Sequence, residues 1–172
     1  DQNLDTYSVE YTYADGTKLM HNGRTIDGCH NEFASYVHGT KGFGTFSANG
    51  HWPAPSALYT GLTPNPKNQI WKFPARETNP YQDEWEDLLD AIRNDKPYNE
   101  AERGALVSQV CNMGRMAAHT GQKVMWDDAL NAKPLAPDLD KLEGFDSKAP
   151  VTADKDGFYP TPQPGITKQS EY

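Results

Sequence analysis

The residues best suited to chemistry are strung along Arg24-Thr25-Ile26-Asp27-Gly28-Cys29-His30-Asn31. Arg, His and Asn supply the donors and acceptors that fix sugar hydroxyls, and connections between strands carry much binding function. A solvated polar connection is the plainer reading of the same residues. His21, His30 and His38 with Asp27 contain ligand types for zinc, but their spacing fits no regular zinc pattern, and no metal site is expected. His38 precedes a turn, which it is expected to pack against or cap.

Asp83, Glu84, Glu86 and Asp87 hold enough carboxylates for the paired chemistry of glycoside hydrolysis. An acidic first helical turn explains them better, because it complements the positive end of the helix dipole. Tyr81 and Gln82 open that helix, where a side chain can project toward a cleft. Trp52 and Tyr59 sit in a Pro-rich stretch and offer rings on which a sugar could stack. None of these residues makes a nucleophile–base pair, so no catalytic residue is assigned.

Elements must position these groups. Tyr7, Val9, Tyr11 and Tyr13 alternate with Ser8, Glu10 and Thr12, the period of a half-buried strand. Asp15-Gly16 turns the chain, and a return strand runs from Thr17 to Arg24. A second hairpin follows over Glu32–His38 and Phe43–Ser47. Residues 49–66 read as a long surface loop, and Gln69–Phe73 as another strand.

Asn79 caps a helix with Pro80 at its first position, and Tyr81, Trp85, Leu88, Leu89 and Ile92 form its apolar stripe, ending near Asn94. A second helix starts at Asn99 with Glu102 completing a capping box, buries Leu106, Val110, Met113 and Ala117, and stops at Gly121. Val124–Trp126 is expected to be a short strand, with Asp127 capping one further turn through Leu130. From Asn131 the prolines leave an extended arm anchored by Leu135, Leu139, Leu142, Phe145 and Tyr159. Hairpins followed by helices imply an α+β fold. Its sheet is antiparallel and open-faced, with two main helices on one face and a Pro-rich C-terminal arm. The uncovered face implies a partner. The domain is expected over residues 1–130 and the tail over 131–172.

Composition bounds the function. With 172 residues and a net charge of −8, one domain fits, and the absence of clustered Lys and Arg argues against nucleic acid. No apolar stretch is long enough to span a bilayer, so no membrane partner is expected. Two cysteines make no disulfide framework, and Cys111 is expected to be a buried small apolar residue. Asp1-Gln2-Asn3 leads almost directly into a strand, with neither initiator Met nor signal peptide, which reads as a cut inside a longer protein.

Three strings then carry a resemblance: Val9-Glu10-Tyr11-Thr12-Tyr13-Ala14-Asp15-Gly16-Thr17, Val37-His38-Gly39-Thr40-Lys41-Gly42, and Asn79-Pro80-Tyr81-Gln82-Asp83-Glu84-Trp85 with Asp90-Ala91-Ile92. Arg103-Gly104, Gly114-Arg115-Met116-Ala117 and Thr120-Gly121-Gln122-Lys123-Val124 extend it. No one string is specific, but the ordered set, over about residues 5 to 130, resembles the C-terminal domain of the Gfo/Idh/MocA oxidoreductases. That resemblance implies a bacterial protein of the cytoplasm or periplasm whose N-terminal Rossmann domain binds NAD or NADP. This part would supply the substrate wall and a homo-oligomer interface through the sheet face.

Sugar-like substrate contacts would fall on Arg24, Cys29, His30, Asn31 and Tyr81. The family's catalytic Lys, in an E-K-P motif, and its Asp and His are not recognisable here, so this chain is expected to hold no cofactor and to be inactive alone. Gly39-x-x-Gly42-x-Gly44 lies at a hairpin, not between a strand and a helix, and is not a pyrophosphate cradle. The rival expectation is a carbohydrate-binding or scaffolding module without redox activity.

Overall fold

A computed structural model describes residues 3–49, 56–74, 79–131 and 141–169. The fold is α+β, with strands β1 (Thr6–Thr12), β2 (Lys18–Arg24), β3 (Ala34–His38), β4 (Gly42–Ala48), β5 (Ala57–Thr60) and β6 (Gln69–Lys72), and helices α1 (Pro80–Arg93), α2 (Ala101–Thr120) and α3 (Trp126–Leu130). The strands fall in two antiparallel sheets, β1-β2 and β3-β4-β5-β6, rather than one. Two compact units carry them: unit 1 comprises Asp1–Asp27 and Asn99–Tyr172, and unit 2 comprises Gly28–Tyr98.

Unit 1 is built on the β1–β2 hairpin. Gly16 takes the positive φ of 85° that its turn requires, and Asp15 Oδ1 accepts the Thr17 N–H at 2.8 Å. That bond, made to the ionised form, holds the Asp15 carboxyl below its ordinary value. Alternation then sorts the side chains. Ser8 and Glu10 meet Asn22 and Lys18 in solvent, while Val9 is buried and Tyr7 and Tyr11 are half-buried. The Tyr11 hydroxyl donates to the Val110 carbonyl of α2 at 3.2 Å.

Gly114 of α2 faces that hydroxyl so closely that a β-carbon would collide with it. Tyr7 Oη and His119 Nε2 lie 2.8 Å apart, with His119 wholly buried (0% exposed). Gly121 closes α2 in the left-handed conformation, as expected of it, and the Thr120 carbonyl accepts the Gly165 N–H at 2.9 Å. The described part of the arm has turns but no α-helix or strand, and Leu142, Phe145 and Tyr159 are exposed. Leu135 and Leu139 lie outside the described residues.

Unit 2 is a four-stranded meander. Residues 49–66 were expected to form a loop, but Ala57–Thr60 is β5, paired with both β4 and β6. Four residues between prolines are too few to show a period, and two neighbouring strands supply what propensity does not. On one face the rings of Tyr36, His38 and Tyr59 surround Phe43, which is 7% exposed. His38 thus packs beside the turn, its ring 4.8 Å from that of Phe43. On the other face Val37, Gly44, Leu58 and Trp71 are cross-strand neighbours in one row. A β-carbon on Gly44 would come within 2.8 Å of Val37 Cγ1, so this glycine lets the two flanking side chains close over it.

Asn79 caps α1 as expected, its side chain accepting the Tyr81 N–H at 3.0 Å with Pro80 at the first position. The stripe of α1 is another matter: only Ala91 is buried, while Trp85 is 61% and Ile92 67% exposed.

Further local expectations are corrected. Asn99 accepts the Ala101 N–H, but Glu100 is the α2 cap residue and makes no side-chain cap bond. Leu106 is exposed and Val110, Met113 and Ala117 are half-buried, because only the second half of α2 packs. Cys111 is exposed, and it and Cys29 are free thiols. Val124–Trp126 is not a strand: Trp126 begins α3, whose N-cap is Met125, and Asp127 lies inside the helix.

Candidate functional site

A concavity lies within unit 1, between β1, the second half of α2 and the Gln122–Trp126 segment. Its volume is about 770 Å³, within the range of ligand sites. Val110, Met113 and Ala117, one helical turn apart, form the α2 wall, and Lys123, Val124 and Met125 the wall beyond it. The facing wall comprises seven consecutive residues, Ser8 to Ala14, of which Tyr13 and Ala14 follow the end of β1.

The lining is mostly apolar. Burial raises the Tyr11 hydroxyl above its ordinary value, with smaller contributions from Cys111 and Tyr13, so it stays protonated and donates to Val110 at neutral pH. Glu10 and Lys123 are the charged side chains of the groove lining, and Glu10 is paired with Lys18. Sequence reasoning missed this groove because its walls hold few titratable residues. Its signals were the odd-numbered apolar side chains of β1, the α2 stripe and a glycine in mid-helix.

The residues expected to contact substrate divide between the units. Arg24 ends β2 in unit 1, while Cys29, His30 and Asn31 follow the unit boundary at Asp27/Gly28 and belong to unit 2. Tyr81, also in unit 2, lies in the first turn of α1 with its side chain exposed. Cys29 is half-buried, and Arg24, His30 and Asn31 are exposed. Gly28, at φ 76°, turns the connection between them. None of the five lines the unit 1 groove. Of the two candidate stacking aromatics, Tyr59 packs on Phe43 and Trp52 lies outside the described residues.

No three His, Cys, Asp or Glu side chains converge among the described residues. The acidic run of α1 lies on the helix surface, with Asp83 in its first turn. Gly42 and Gly44 cannot receive a nucleotide: a β-carbon on Gly42 would overlap the Tyr59 carbonyl, and the space over Gly44 is closed by Val37 and Leu58. The residues present therefore do not fit a dinucleotide cofactor at these glycines. No helix of the described residues is long and apolar enough to cross a membrane. In comparisons with known proteins, no family model, curated protein or solved structure matches the chain.

Proposed function

We propose that the chain is the substrate-binding and oligomerisation domain of an NAD(P)-dependent oxidoreductase acting on a sugar, polyol or similar hydroxyl compound. One observation supports the oligomerisation part of the reading: the four-stranded sheet of unit 2 presents Val37, Leu58 and Trp71 as an exposed row, Trp71 at 46%. Apolar surface gathered on one sheet face marks interaction sites, and a face shared between copies covers it.

Substrate recognition falls to Arg24, Cys29, His30, Asn31 and Tyr81, on the motif likeness described above. Arg24 and His30 donate to hydroxyl oxygens, and Asn31 both donates and accepts. NAD or NADP, and the groups that move hydride and proton, belong to a Rossmann domain of the parent protein. This chain alone neither binds nucleotide nor turns over.

The test is the open reading frame that encodes the chain, together with a fluorescence titration of the purified chain with NADH. The reading expects an upstream strand, Gly-rich turn and helix followed by an E-K-P segment, and no NADH binding by the chain alone. A frame without those upstream elements, or NADH formation by the chain itself, would overturn it.

A further inference from the structure

The unit 1 groove runs along the open edge of a strand, and its chemistry points to one kind of occupant. In β1 the odd-numbered residues turn their backbone groups toward β2: Thr25 donates to the Asp5 carbonyl at 2.8 Å, and Tyr13 to the Thr17 carbonyl at 2.9 Å. With Thr6 opposite Arg24 and Thr12 opposite Lys18, the antiparallel pattern turns the N–H and C=O of Thr6, Ser8, Glu10 and Thr12 the other way. β1 has no second neighbour in its sheet, and among the described residues no backbone group pairs with that outer row.

The cavity is lined by outward-facing Ser8, Glu10 and Thr12 as well as by inward-facing Val9 and Tyr11, so it reaches from the α2 side of β1 to the strand's edge. On the opposite wall, Met125 is extended at φ −90° and ψ 153°. The amides of Lys123, Val124 and Met125 also find no acceptor among the described residues.

We infer that the groove accepts an extended polypeptide segment, which adds as a strand to the outer edge of β1. Unpaired backbone donors and acceptors in a mostly apolar cleft are costly, and a second backbone satisfies them in register where a sugar or lipid does not. The apolar walls set the side chains of the guest: one face of the segment meets Val110, Met113 and Ala117 and must carry small or branched apolar residues, while the other stays polar. The chain is not committed to an oxidoreductase by this inference, which holds or fails whatever the parent protein does.

The experiment titrates the isotopically labelled full chain with a blocked seven-residue peptide alternating valine and threonine. Two further forms are N-methylated at the valines or at the threonines. Binding by the parent peptide should slow exchange of the Ser8, Glu10 and Thr12 amides at least 10-fold. The amides of Val9 and Tyr11, already paired to β2, should change little. Methylation of at least one of the two edges should weaken binding 10-fold or more. No binding at millimolar peptide, or equal binding by all three forms, would overturn the inference, the latter because it marks apolar adhesion without backbone pairing.

Discussion

The two units solve the same packing problem to different degrees. In unit 1 the hairpin has a helix to lie against: Val9 is buried, Tyr11 reaches the α2 backbone, and Gly114 gives up its side chain so that the tyrosine can approach. Unit 2 has more strands, yet its largest buried apolar side chain is Phe43. Its second sheet face and the stripe of α1 stay open. Amphipathic patterning therefore means different things in the two halves: in unit 1 it records a core, and in unit 2 a surface that stays exposed.

The strongest way to break the contrast is Phe43→Ala. Removing a buried phenylalanine costs about 3–5 kcal/mol, enough to unfold a unit with so little else inside it. Amide exchange should collapse over β3–β6 while α2 stays protected. Equal loss in both units would show that they share one core.

Gly114→Val tests the other half. The added side chain must displace Tyr11 from α2, at about 2 kcal/mol in the usual range for overpacking. Gly104→Ala on the same helix meets nothing within 4 Å and should gain up to about 1 kcal/mol from helix propensity. Urea unfolding followed by amide exchange of α2 separates the two, and a Gly114→Val protein as stable as its parent would contradict the close approach.

The smallest effect is electrostatic. The Asp90 carboxyl at the end of α1 is held below its ordinary value first by the hydrogen bond from Lys96 and then by that residue's charge, with Asn94 adding a further bond. A lowered folded pKa means that the contribution is present above the unfolded carboxylate value of about 3.9. It is lost as pH falls through the lowered one. Asp90→Asn should therefore reduce α1 helicity slightly at pH 7 and not at pH 2, by circular dichroism. An equal difference at both would rule out the ion pair.

What was legible in the sequence was punctuation. Asp15-Gly16, Asn79-Pro80 and Gly121 each carry a backbone requirement in their own chemistry, and each sits where that chemistry demands. Pairing was not legible. Alternation shows that Ser8 and Val9 face apart, but not that β2 and β3 fall in separate sheets. Nor does it show that Val124 and Met125 lack a ladder, since a strand exists only through its neighbour. Burial was half legible: a helical stripe identifies residues that share a face, and Trp85 and Ile92 show that sharing a face does not cover it. The groove escaped because its walls are ordinary valine, methionine and backbone.

The proposal that this chain assembles through its sheet is tested most directly by sedimentation equilibrium of the full chain beside Trp71→Glu. The account predicts a dimer or larger assembly at micromolar concentration for the parent, and a monomer with an unchanged circular dichroism spectrum for the variant. A parent chain that sediments as a monomer throughout, or a variant that assembles as well as the parent, would contradict it.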